Sequence, residues 1–102
     1  MNTRLAYHYA DKMMCRQYTS IVVAGTITWE QIAPYLVRQY SFIPGQVGLE
    51  DLQHRFALPG ADQPWHQIRP DDVRPTDAAP TVPLTGEELV ERFATCQWAG
   101  GR

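Results

Sequence analysis

The chain has 102 residues, 44% of them hydrophobic and 20% charged, which is enough apolar material for one packed domain and too little charge for a disordered chain. Its net charge is −2 at neutral pH, so it lacks the basic excess from which phosphate-driven nucleic-acid binders draw their affinity. The only cysteines, Cys15 and Cys96, are far apart and make neither a disulfide framework nor a metal-binding Cys-x-x-Cys.

The charge is unevenly placed. Residues 1–46 carry Arg4, Lys12, Arg16 and Arg38 against Asp11 and Glu30, whereas residues 47–102 carry nine acids against five arginines. No apolar run has the length of a signal peptide or a membrane span, so the expected location is the cytoplasm, with both thiols reduced.

Along residues 4–10, Leu5, Tyr7 and Tyr9 alternate with Ala6, His8 and Ala10, a period of two that predicts a strand. Residues 17–27 are rich in β-branched residues and predict a second strand, paired with the first as an antiparallel hairpin. Thr28 and Gln31 form a capping box for a helix whose stripe is Trp29, Ile32, Leu36 and Tyr40, with Pro34 as an obstacle inside it, so that either the first turn is distinct or the regular helix starts near Pro34. A loop over 41–48 leads to a short helix over 49–56 that buries Leu49, Leu52 and Phe56. Phe42, Ile43, Val47, Leu49 and Leu52 are too apolar for a free loop, and Pro44-Gly45 turns the chain, so this block is expected to be structural.

Six of the eight prolines fall in 57–83, an extended segment with room for a third short strand from Trp65 to Arg69. Thr85 and Glu88 then cap a last helix, with Leu84 and Leu89 as its hydrophobic staple, Leu89, Phe93 and Cys96 as its buried stripe, and Gly100-Gly101 as its stop. The expected fold is one α+β domain over 1–102. It has an N-terminal antiparallel hairpin and a third short strand, packed against two main helices and one short helix.

No catalytic or metal motif stands out. His8, His54 and His66 do not pair with one another or with cysteine at metal-ligand spacing. Met13 and Met14 beside Cys15 suggest packing rather than an activated thiol. The acid pairs Glu50-Asp51, Asp71-Asp72 and Glu87-Glu88 are adjacent in sequence, so their side chains diverge, and Glu87 and Glu88 complement a helix dipole. Neither an enzyme nor a cofactor is expected.

The remaining role is binding. Candidate contacts are the acids Glu50, Asp51, Asp71, Asp72 and Asp77, suited to a basic groove, and the pair Trp65-His66. For that pair we expect Trp65 in the core and His66 outward. Trp98 is a second aromatic anchor if it is exposed. A nucleic-acid alternative would use Arg4, Arg16 and Arg38 with Tyr7, Tyr9 and Tyr18 as a stacking platform on the hairpin. A small enzyme would need His66 or Cys15 in a pocket facing an acid.

The order of features resembles a group of small proteins from bacterial accessory genomes, of phage or plasmid type. The resemblance rests on Tyr7 and Tyr9, Ile21–Gly25, the block Phe42–Gln53, Trp65-His66 and Thr76–Thr81. This chain has Ala10-Asp11 where that group carries Arg-Asp. The resemblance implies a mobile-element context. Small acidic proteins of that context often inhibit host nucleic-acid-handling or defence complexes such as CRISPR effectors. The implied partner is a protein or a protein–nucleic acid complex, not a membrane.

Overall fold

A computed structural model describes residues 1–10, 16–52 and 65–96. The organising element is β1, Asn2–Ala10, in which the alternation seen in the sequence becomes two faces. Thr3, Leu5, Tyr7 and Tyr9 point inward and are each at most 1% exposed. Strand β2, Arg16–Val23, pairs antiparallel with β1 from Thr3↔Val23 to Ala10↔Arg16, which is the expected hairpin. It stops at Val23, short of the predicted Ile27, because Gly25 takes a left-handed φ of 89° and turns the chain.

Among the described residues the sheet has five strands, two more than the sequence suggested. All its ladders are antiparallel, and with two helices it makes a mixed α+β fold. Strand β3 is Ser41–Phe42, and β4 is His66–Gln67 inside the predicted third strand. β4 pairs with β3 on one side and, through His8↔Gln67, with β1 on the other. Strand β5, Val73–Thr76, runs beside the first half of β1, from Asn2↔Thr76 to Leu5↔Val73. It was hidden because it is short and carries Pro75, which a strand accepts only where a missing N–H does no harm.

The predicted first helix is mostly lost. Helix α1 is Trp29–Ile32, followed by a 3₁₀ turn over Ala33–Tyr35, and Leu36 is already extended at φ −81° and ψ 146°. Pro34 supplies no N–H and its ring crowds the preceding turn, so the hydrogen-bond ladder stops there. Arg38 and Gln39 then adopt left-handed φ values of 52° and 78°, inside a tight turn closed by Val37 and Ser41. Tyr40 therefore lies off any helix, with the Arg69 guanidinium 4.7 Å from its ring centroid.

The Phe42–Leu52 block is core, as expected: Phe42, Val47 and Leu52 have no exposed surface, and Ile43 and Leu49 have 6% each. Its local form differs. A 3₁₀ turn over Pro44–Gln46 replaces a plain loop, and Gly48 turns at φ 86°. Leu49–Asp51 are not helical, and residues 53–56 of the predicted short helix, with Phe56, lie outside the described residues.

Helix α2, Gly86–Thr95, matches its signals. Thr85 Oγ1 accepts from the Glu88 amide, and Glu88 Oε1 accepts from the Thr85 amide, both at 3.1 Å. Leu89 and Phe93 are buried, and the Phe93 ring meets Phe42 at 5.6 Å between centroids. Cys96 follows the last turn and is half-buried, and the predicted stop at Gly100-Gly101 lies outside the described residues. Gly86 carries no side chain because there is no room for one. A Cβ would sit 2.6 Å from Ile27, and the Gly86 amide donates to the Ala24 carbonyl at 2.7 Å. The proline-rich stretch leading to α2 lies on the edge of β2, where Thr81 exchanges two hydrogen bonds with the main chain of Val22. Among the described residues no helix is long and apolar enough to cross a membrane.

Leu52→Ala should lower the unfolding free energy by about 2–5 kcal/mol, the range for truncating a fully buried leucine. Urea unfolding measures this, and a loss well under 1 kcal/mol would mean that Leu52 does not hold the block against the sheet.

Candidate functional site

The predicted contact residues occupy several separate places. Glu50 and Asp51 lie beneath the inner face of the sheet, where the Glu50 carbonyl accepts the Tyr7 hydroxyl at 2.7 Å. Asp71 and Asp72 form a 3₁₀ turn with Pro70, between β4 and β5. Asp77 follows β5 at its far end. The turn acids have local work: Asp72 Oδ2 accepts from the Arg69 amide at 3.0 Å, and the Asp71 carbonyl accepts from Arg74 Nε at 2.7 Å. The five acids thus come from three separate stretches of the chain.

Trp65 is half-buried against the core, in the role expected of it. His66 is the reverse of the expectation: its imidazole has no exposed surface. Ile68 decides this. It is 1% exposed, and in a strand residues two apart share a face, so burying Ile68 buries His66 and turns Gln67 outward. The imidazole packs among Tyr9, Tyr7 and Phe42, with ring centroids at 4.9, 6.0 and 6.3 Å.

His66 Nε2 accepts the Leu52 amide at 3.0 Å and lies 3.4 Å from Asp51 Oδ1. These two contacts make opposite demands. An acceptor nitrogen carries a lone pair, whereas an ion pair with Asp51 needs a proton on it. The amide bond is shorter and lies wholly in the interior, so we assign the neutral ring, with Asp51 as a polar neighbour. A histidine beside a carboxylate is the raw material of general-base chemistry, but this one presents no surface to a substrate. Its visible job is to satisfy a buried amide and tie the Phe42–Leu52 block to β4.

The opposite face of the sheet is displayed. From β1 it carries Arg4, Ala6 and His8, from β2 Arg16, Tyr18 and Ser20, from β4 Gln67 and from β5 Arg74. Tyr18 is 62% exposed, and its ring lies 5.4 Å from that of His8. Val22, on the same face, is buried where Thr81 docks beside it. Partial burial, and then the charge of Arg16, hold the His8 pKa below the usual imidazole value.

The stacking platform is corrected by this arrangement. Tyr7 and Tyr9 point into the core, and Arg38 sits in the turn before β3, leaving Arg4, Arg16 and Tyr18 of the predicted set. The structure adds His8 and Arg74. His8 was legible, since it shares parity with Arg4 on β1. Arg74 carried no signal, because its strand is short and interrupted by proline.

Cys15, His54 and Trp98 lie outside the described residues. Burial raises the Cys96 thiol pKa, the reverse of activation. Among the described residues no three histidine, cysteine or acidic side chains converge as metal ligands. A surface depression lined by Ala24, Gly25, Thr26, Thr85 and Glu87 has one titratable side chain. No protein-family model matches the sequence, and no curated protein or solved structure matches it.

His66→Leu should cost about 1–3 kcal/mol, because it strands the buried Leu52 amide, while His66→Gln, which keeps an acceptor, should cost less. Equal stability of the two variants in urea unfolding would exclude the hydrogen bond as the cause.

His8 gives a pH signature. Its folded pKa is lowered, so the unfolded chain binds the proton more tightly. Its contribution to stability is complete above the unfolded value of 6.5 and is lost as pH falls from there through the lower folded value. His8→Gln should therefore flatten the fall in Tm between about pH 7 and pH 5. An unchanged slope would show that His8 is not responsible.

Proposed function

We propose that this chain is a non-enzymatic protein-binding module that acts through the displayed face of its sheet. The observation that carries this reading is Tyr18. Its ring is 62% exposed on a strand where none of Arg16–Ser20 is buried, while on the other face of the same sheet Leu5, Tyr7, Tyr9, Ile21 and Val23 are buried in the core. Tyrosine and arginine are the side chains most often found at the energetic centre of protein interfaces. Presented from a paired strand, they lose little freedom on binding.

The partner we propose is a protein or protein–nucleic acid complex. The resemblance of Phe42–Gln53 to accessory-genome proteins supports an inhibitor of a host nucleic-acid-handling or defence complex, anti-CRISPR-like in role. The burial of His66 supports binding over catalysis, since the best-placed base has no surface for a substrate.

The test is co-elution of the chain with purified effector complexes at low ionic strength, beside Tyr18→Ala. The variant should weaken binding by about 2 kcal/mol, roughly thirtyfold. Its Tm should stay at the wild-type value, because the ring is mostly in solvent. Wild-type affinity in the variant would remove Tyr18 from the interface, and no binding to any such complex would sink the inhibitor role.

A further inference from the structure

The displayed face carries a charge arrangement that stability does not explain. Arg4 and Arg74 stand directly opposite each other on β1 and β5, and both are exposed. Like charges at directly opposed positions destabilise a sheet. Among the described residues neither has a carboxylate within ion-pair distance, and the same holds for Arg16. Arg74 Nε donates to the Asp71 carbonyl, which fixes the guanidinium in place without neutralising it. Arg16 lies opposite Ala10, six residues along β1 from Arg4, or about 20 Å. The His8–Tyr18 ring pair sits between these two ends.

The geometry points to a docking site for an acidic segment of a partner protein, with its carboxylates on Arg4, Arg74 and Arg16 and its apolar side chains on Tyr18. This deepens the binding-module reading and rests on it. Guanidinium forks match carboxylates two hydrogen bonds at a time, which a Lys ammonium does not. The chain as a whole is net −2, so a positive face selects its partner by charge against the rest of the surface.

A nucleic acid carries the same sign but fits less well. Three guanidinium groups release few counterions, giving a salt exponent of only about −2 on a single strand. Among the described residues Tyr18 is the one well-exposed ring on this face, whereas single-strand binding stacks successive bases on several.

The probes are a short labelled peptide with alternating glutamates, its glutamine counterpart, and an oligothymidylate of equal charge. At low ionic strength the glutamate peptide should bind saturably and shift the amide resonances of Arg4, Tyr18 and Arg74. The glutamine peptide should bind at least about tenfold more weakly. Arg4→Gln with Arg74→Gln should lose at least about tenfold in affinity while Tm stays level or rises, because a like-charge pair has been removed. Tighter binding of the oligothymidylate would overturn the proposal in favour of phosphate. So would peptide shifts elsewhere on the chain, or a double variant that binds normally or melts early. If Tyr18→Ala abolishes co-elution with an effector complex and the arginine variant does not, the acidic segment is excluded and the binding module stands. If the wild-type chain binds the glutamate peptide but no effector complex, the inhibitor role falls and the acidic-segment site stands.

Discussion

Strand β1 is paired on both edges, with β2 on one side and β4 and β5 on the other, and nearly everything else follows from that. Pairing on both edges fixes its twist and register, so its residues cannot exchange faces without moving three neighbours. Leu5, Tyr7 and Tyr9 are held against α2 and the Phe42–Leu52 block, and Arg4 and His8 are held outward. The start of the strand also anchors the turn after β2. Thr3 Oγ1 donates to the Gly25 carbonyl and accepts the Ile27 amide, so a buried hydroxyl is satisfied twice. Asn2 reaches both Gly25 and Ala78, joining that turn to the proline-rich stretch.

Beneath the sheet, a few polar contacts fix a segment with little regular structure. The Tyr7 hydroxyl holds the Glu50 carbonyl and His66 holds the Leu52 amide, so one stretch of irregular backbone is tied at two points, to β1 and to β4. Irregular backbone can be buried only when its N–H and C=O groups are matched in this way. His66 is therefore a substitute for secondary structure. Its burial among three rings adds apolar contact to the same hook.

Charge follows the topology. The acids sit in turns and irregular backbone rather than on the strands: Asp71 and Asp72 before β5, Asp77 after it, and Glu50 and Asp51 under the sheet. The arginines are scattered in the sequence but share one face of the sheet, because Arg4, Arg16 and Arg74 share a parity on three paired strands. A chain that is acidic overall thereby shows a basic, aromatic face on one side of its sheet.

The hairpin, the apolar nature of Phe42–Leu52 and the capped helix α2 were all legible in the sequence. Each depends on local periodicity or on side-chain groups within four residues of the backbone they cap. Tertiary structure decided the rest. Pro34 against the apolar stripe of Trp29–Tyr40 was a contest between pattern and hydrogen bonding, and hydrogen bonding won. Strands β3 and β5 are too short to carry a period and exist because β1 and β4 offered open edges. The inward turn of His66 came from a pairing register that a two-residue strand cannot announce, and the opposition of Arg4 and Arg74 came from strands seventy residues apart. Local rules carry information over a turn or a strand. Which side chains share a face of a sheet is settled by non-local pairing, and so the candidate site appeared only in the folded chain.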